Sequence, residues 1–186
     1  MDDKTLIRIS KRLSLHLRHA PEKIGITLDP AGWVRIDTLL AALAAHGRRI
    51  SRADLDHVVA GNDKQRFIID GDRIRANQGH SVAVELDLPA TEPPAVLYHG
   101  TVARFLDAIQ REGLRPMARH DVHLSATVET AQRVGARRGK PVVLQVDAAA
   151  MHRDGHVFRV SANGVWLTST VPPPYLTTDE SPPAAR

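Results

Sequence analysis

A chain of 186 residues that is 42% hydrophobic can bury one ordinary core or two small ones, and with no cysteine it excludes disulfides, thiolate metal sites and cysteine nucleophiles. No run approaches the ~18 apolar residues of a membrane span, and the acidic start MDDK is unlike a signal peptide, so a cytoplasmic protein is expected. The formal charge of +4 and a pI near 9.8 favour a polyanionic partner, yet basic and acidic residues stand 14 to 11 over residues 1–85 and 11 to 10 over the rest, so any anion site has to be built locally.

Leu6, Ile9, Leu13 and Leu17 recur at helical spacing, and the helix they predict runs into Arg18-His19 before Pro21 stops it. Cations in the last turn oppose the negative end of a helix dipole, which by itself accounts for the pair. GWVRID is a short strand candidate, after which Asp37 is placed to N-cap a helix over TLLAALAAHG that ends on Gly47. Ser51 and Asp54 form a capping-box pattern for a third helix stopped by Gly61, and RFIIDGDRIRA reads as a hairpin about Asp70-Gly71. Three helices and then a hairpin is the order of a winged helix.

DLPATEPPA, residues 87–95, contains three prolines and no periodicity, and reads as a stiff linker dividing the chain almost in half. Beyond it the pattern is mixed: VLYHGT as a strand, VARFLDAIQREGL as a helix ending at Gly113, VHLSA as a strand, VETAQRVGARRG as a helix and PVVLQVD as a buried strand. VFRVSANGVWLT predicts two strands joined through Asn163-Gly164, and the proline-rich segment from 173 to 186 is expected to fray. The expected organisation is therefore a lobe over 1–86, a linker over 87–95, a second lobe over 96–172 and a tail over 173–186.

Familiar catalytic signatures are missing. The chain has no G-x-G-x-x-G, no P-loop and no nucleophile elbow, and His120 with His123 lacks an acidic partner at metal-ligand spacing, so no metal is expected. What remains is a scatter of cationic and imidazole side chains at segment ends: Arg18-His19, Arg66, His99, and Arg119 with His123. Each one alone has an ordinary structural explanation as a helix-end cation, a strand-edge cation or a satisfied histidine. Together they suit a cleft between lobes that surrounds a phosphate, because guanidinium forks match phosphate oxygens in pairs.

The stretch ISKRLSLHLRHAPEKIGITLDPAGWVRIDTLL resembles the opening of the NAD-dependent RNA 2′-phosphotransferases, which remove an internal 2′-phosphate left at a tRNA splice junction. KQRFIIDGDRIRANQGHS, LYHGT, RHDVHLS, VGARRGKPVVLQVD and NGVWLT continue the resemblance in the same order over roughly residues 5–170. It implies an α+β protein with an N-terminal winged-helix lobe and a C-terminal ADP-ribosyltransferase-like mixed α/β lobe with antiparallel-rich sheets. It also implies a catalytic tetrad of Arg18, His19, Arg66 and Arg119. NAD, consumed as co-substrate, would be held by His99, Gly100 and Thr101, with His123, Ser125 and Arg137 nearby. Gly100 also suits a strand-to-helix turn on conformational grounds. Val165, in NGVW, stands where many ADP-ribosyltransferases place a glutamate, and an apolar residue there fits a nucleophile that is already anionic.

In the reaction the resemblance implies, the RNA 2′-phosphate attacks C1″ of the nicotinamide ribose and expels nicotinamide, giving a 2′-phospho-ADP-ribosylated RNA. O2″ then attacks the phosphorus, releasing 2′-hydroxyl RNA and ADP-ribose 1″,2″-cyclic phosphate. RNA carrying a 2′-phosphate and NAD are the partners expected of a monomer. Two alternatives stand beside this one: NAD-dependent ADP-ribosylation of terminal phosphates on RNA or DNA, and a non-catalytic winged-helix nucleic-acid-binding module that senses NAD.

Overall fold

In the computed structural model, which describes residues 2–61 and 65–178, the first helix, α1 (Asp3–Arg18), buries Leu13 and Leu17 completely and packs Leu6 and Ile9 against the same core. Asp2 caps it by accepting the Thr5 amide at 2.8 Å. The chain forms two compact units, divided between Asp87 and Leu88.

In the first unit, α1 is followed by the short strand β1 (Val34–Arg35), helices α2 (Ile36–Ala45) and α3 (Arg52–Ala60), and the hairpin of β2 (Phe67–Asp70) and β3 (Arg73–Ala76). The sheet is antiparallel in the order β1-β3-β2. Ile74 of β3 is wholly buried with Leu39, Leu43, Leu55 and Val58, so the helices cover one face of the hairpin. The Ser51–Asp54 capping box forms as its sequence predicts, in both directions. Asp37 does not cap α2. The helix begins at Ile36 with Arg35 as its cap residue, and the Asp37 carboxylate pairs instead with the Arg35 guanidinium at 2.8 Å. The hairpin turn is centred one residue later than the Asp-Gly pair suggests: Asp70 pairs with Arg73, leaving Gly71 and Asp72 as the loop, with Gly71 at φ 59°.

The loop before β1 shows why part of the signature is architectural. One Asp29 carboxylate oxygen accepts the amides of Ala31 and Trp33 at 3.0 and 2.8 Å, and Gly32 turns the chain at φ 84° against Val84 and His80.

The second unit is built on β4 (Val96–Val102), which pairs antiparallel along its whole length with β6 (Pro141–Asp147). Between them in sequence lie α4 (Leu106–Glu112), β5 (Val122–Leu124) and α5 (Val128–Gly135). After β6 come α6 (Ala148–Arg153), β7 (Arg159–Val160), β8 (Trp166–Thr168) and β9 (Leu176–Thr178). Two three-stranded antiparallel sheets result, β4-β6-β9 and β5-β8-β7. A bridge between Tyr98 and Ser125, with amide-carbonyl distances of 2.9 and 2.7 Å, joins β4 to the end of β5. The core between the sheets holds Leu97, Leu124, Val146, Met151, Phe158 and Val171.

Two expectations need correction here, and one element was not foreseen. AAAMHR, left without an element in the sequence, is α6, capped by Asp147 accepting the Ala150 amide at 2.9 Å. The proline-rich segment is not wholly a free linker: Pro93 is buried and the Thr91 amide donates to the Phe158 carbonyl at 2.8 Å. The tail does not fray from residue 173, because Pro173–Tyr175 forms a 3-10 turn and β9 then pairs with β6; residues 179–186 lie outside the described residues. Among the described residues no helix is long and apolar enough to cross a membrane.

Candidate active site

In the first unit the end of α1 gathers three of the predicted site residues. Pro21 has no amide hydrogen and restricts Ala20, so the helix must stop. It closes with the amides of His19 and Ala20 both donating to the Leu15 carbonyl, at 3.0 and 2.9 Å. Arg18 is thus the last helical residue and His19 its cap. The Arg18 guanidinium donates to the Arg66 carbonyl at 3.3 Å, and the Arg66 guanidinium donates to the Ser10 hydroxyl at 3.4 Å. Ser10 and Arg18 are two helical turns apart on one face of α1, so Arg66 lies along that face.

His19 is exposed, and its Nδ1 lies 2.9 Å from the Ser81 hydroxyl, while the Ser81 amide donates to the Arg18 carbonyl at 2.8 Å. Ser81 therefore fixes the ring relative to the helix end. Ser10 and Ser81, which contact Arg66 and His19, were not singled out in the sequence, although Ser81 closes the GHS motif. His16, one turn earlier, is buried with Nδ1 3.1 Å from the Ala20 carbonyl; it closes the helix end.

In the second unit the Tyr98–Ser125 bridge brings His99 of β4 beside His123 of β5. The two are joined by His99 Nδ1 and the His123 carbonyl at 3.1 Å. A carbonyl only accepts, so His99 carries its proton on Nδ1. Arg119 reaches His123 Nδ1 at 2.9 Å. A guanidinium only donates, so His123 accepts there and any ring proton lies on Nε2. Val122 and Leu124 point into the core, which leaves His123 on the opposite face of β5.

The charges that act on His99 and on Arg119 are positive. Burial pushes the His99 imidazole below its ordinary value of 6.5, and the nearby Arg138 and Arg119 charges push it the same way against the opposing bond to the His123 carbonyl. The Arg119 guanidinium is also lowered, first by partial desolvation and then by Arg138 and Arg137, though an arginine stays charged throughout the physiological range. No carboxylate contributes to either shift. At neutral pH the lowered value favours a neutral His99, with Nε2 as an acceptor, beside the charges of Arg119 and Arg138, while Arg137 acts on Arg119. Arg138 was missed in the sequence beside Arg137, yet its charge acts on both His99 and Arg119. Its guanidinium lies 5.9 Å from the Phe105 ring, which Arg104 also faces at 5.0 Å.

The remaining predicted residues sit in the packing of the second unit. A Cβ on Gly100 would lie 1.8 Å from the Ala131 carbonyl oxygen, and one on Gly135 would lie 2.8 Å from the Thr101 oxygen, so the two glycines let α5 lie directly on β4. Because Cβ directions alternate along a strand, Gly100 faces α5 while His99 projects from the other side. Thr101 is buried, and Ser125 supplies its backbone to the bridge. Val165 precedes β8 in a turn closed by the buried Ser161, whose hydroxyl donates to the Val165 carbonyl at 3.1 Å. Among the described residues no group of three or more His, Asp or Glu side chains is gathered to hold a metal ion.

The His99 shift carries a pH dependence. A histidine whose folded pKa is depressed binds fewer protons folded than unfolded, so its contribution to stability is complete above the ordinary value near 6.5 and is lost as pH falls through the folded value. Removing one of the charges responsible, by Arg138→Gln, is expected to raise the His99 pKa. An NMR titration of the His99 ring in both proteins checks this, and an unmoved midpoint would show that Arg138 is not close enough to act.

Comparison with known proteins gives one consistent result. Residues 4–170 match the model of the RNA 2′-phosphotransferase, Tpt1/KptA family. A probable RNA 2′-phosphotransferase of Streptomyces griseus is 66% identical over 185 residues, covering 95% of this chain and 98% of that protein. One from Streptomyces coelicolor is 67% identical over 176 residues, covering 95% and 97%, and one from Burkholderia lata is 56% identical over 178 residues, covering 94% and 92%. With nearly its whole length matched at such identities, and with the signature residues gathered at two cationic sites, the chain belongs to the RNA 2′-phosphotransferase, Tpt1/KptA family.

Proposed function

We propose that the protein removes an internal 2′-phosphate from RNA, of the kind left at a tRNA splice junction, by transferring it to NAD without a metal ion. The observation that carries this is the gathering of Arg18, His19 and Arg66 at the end of α1, in a chain that also assembles Arg119, His123 and His99 on β4 and β5. The helix-helix-helix-hairpin order of the first unit supports a winged-helix fold. The two antiparallel sheets of the second support an ADP-ribosyltransferase-like fold.

The second unit suits NAD chemically. A dinucleotide carries two phosphate charges and several ribose hydroxyls. Arg119, Arg137 and Arg138 supply positive charge for the phosphates, no carboxylate is among the charges acting on Arg119 or His99, and His99 Nε2 is an acceptor for a hydroxyl. His123, Thr101 and Ser125 complete the proposed cofactor-binding set, with Gly100 acting through the close approach of α5. When bound, NAD supplies the ribose carbon that receives the phosphate and a nicotinamide that departs.

The chain's own residues do the rest. Arg18, Arg66 and Arg119 strip water from the phosphate dianion and aim it, work that fixed guanidinium forks perform without reorganisation. His19, oriented by Ser81, moves the proton, the role an imidazole commonly takes in general acid–base catalysis. Val165 leaves the position without a base, which suits a nucleophile that is already an anion.

The test is nicotinamide release from NAD in the presence of oligoribonucleotides that carry an internal 2′-phosphate, a terminal phosphate or neither. Release that depends on the internal 2′-phosphate is expected. Release driven equally by a terminal phosphate would favour phosphate capping, and none with any RNA would favour a sensor.

A further inference from the structure

A second cationic site lies in the first unit, apart from the three residues at the end of α1. The middle of α1, the loop after α2 and the start of α3 enclose a groove of about 480 Å³, walled by Arg8, Arg12, Arg48 and Arg49. Its floor is apolar, from Ile9 and Ile50 packed against the core. Four guanidiniums around one concavity repel one another, and Arg8 and Arg12 do so at the i,i+4 spacing where like charges are unfavourable on a helix.

Among the described residues these four guanidiniums have almost no bonded partner. Arg12, Arg48 and Arg49 make no hydrogen bond or ion pair among the described residues, and Arg8 reaches only the Thr5 hydroxyl, at 3.5 Å. One acid, Asp54, lines the groove itself and Asp2 lies near Arg8, against four guanidiniums; both acids are engaged in helix caps. Asp2 caps α1 through the Thr5 amide, although it also feels the Arg8 charge, and Asp54 closes the α3 capping box through the Ser51 amide and hydroxyl at 3.0 and 2.8 Å. At 1.5 Å per residue, Arg12 and Arg8 lie about 9 and 15 Å along α1 from Arg18. Arg8 and Arg12 also each lie about 160° round α1 from Ser10, where the Arg66 guanidinium sits, so a ligand in the groove is on the side of the helix away from Arg66 and is not the phosphate that Arg18 and Arg66 handle.

We propose that this groove binds the phosphodiester backbone of the RNA away from the reacting nucleotide, with Arg8, Arg12, Arg48 and Arg49 on successive phosphates and the sugars over Ile9 and Ile50. The inference rests on RNA being the substrate. It makes the affinity for long RNA depend on salt and length, while the reacting nucleotide alone needs none of these four residues.

The test uses the full chain carrying Arg8→Gln, Arg12→Gln, Arg48→Gln and Arg49→Gln together, with Arg48→Gln/Arg49→Gln as a second variant confined to the loop. Thermal unfolding confirms that each is folded. Fluorescence anisotropy measures binding of a long single-stranded oligoribonucleotide without any 2′-phosphate across a salt series, and kcat/KM is measured on a dinucleotide bearing the 2′-phosphate. The full variant should bind the long RNA at least about tenfold more weakly at low salt, and its log-log salt slope should fall by roughly 3, for four single-strand contacts. The loop variant should lose about half of that slope, and turnover of the dinucleotide should be unchanged in both. Equal binding and equal slopes in wild type and variants would overturn the proposal, as would loss of dinucleotide turnover, which would merge the groove with the reacting site. If wild type turns over no 2′-phosphorylated RNA while the variants still lose RNA binding, the groove stands and the proposed reaction falls.

Discussion

Arg18→Ala, His19→Ala and Arg66→Ala are expected to slow the second chemical step of 2′-phosphate transfer by on the order of 10²-fold or more, and to slow the first step much less. In the first step the phosphate is already a nucleophile and nicotinamide leaves readily, so a missing contact costs mainly alignment. In the second the phosphorus is attacked while still bearing negative charge, so charge neutralisation and proton transfer dominate. The three residues are interlocked: Arg18 holds the Arg66 backbone, Arg66 reaches Ser10, and Ser81 orients His19. Arg66→Ala leaves the carbonyl that Arg18 contacts in place, so it should be the cleanest of the three. A single-turnover time course with excess enzyme reads the result. At least one variant should accumulate 2′-phospho-ADP-ribosylated RNA, and if all show only substrate and final product, this division of labour is wrong.

Gly100→Ala is expected to destabilise the second unit by about 3 kcal/mol or more, lowering its unfolding midpoint by on the order of 10 °C. The new methyl carbon would fall 1.8 Å from the Ala131 carbonyl oxygen, and both partners are backbone, so no flexible side chain can yield. Moving α5 off β4 would also displace the turn that carries Arg137 and Arg138. Gly155→Ala is the control, since Gly155 has φ 92° with open space around it and should show only the smaller cost of backbone strain. A Gly100→Ala protein of normal stability that has lost NAD binding would place Gly100 against the cofactor instead of against α5.

Gly100 also shows where the sequence stops being legible. Its place in LYHGT marks it as part of a signature, but whether a glycine is needed for a ligand or for a crossing helix depends on Ala131 and Gly135, thirty residues on. Periodicity recovered α1, apolar runs recovered β4 and β6 as strands though not their pairing, and local hydrogen bonding recovered the Ser51–Asp54 box. It failed where tertiary contacts decide. Leu176–Thr178 is a strand because β6 offers an edge, despite the prolines before it, and α6 is a helix because Asp147 can cap it. At the site, the residue types were readable but their partners were not. The Ser81 contact to His19 spans 62 positions, and Arg138 could not be told from Arg137 until the turn after α5 was formed.

In the proposed reaction the 2′-phosphate leaves RNA by transfer to NAD, handled by Arg18, His19, Arg66 and Arg119. Its most direct test follows the phosphorus: an oligoribonucleotide radiolabelled only at one internal 2′-phosphate is incubated with NAD and the protein, and the labelled product is identified. The label should appear in ADP-ribose 1″,2″-cyclic phosphate, in an amount matching the nicotinamide released, and should remain on RNA when NAD is withheld. Label recovered as inorganic phosphate, or released without NAD, would contradict the account.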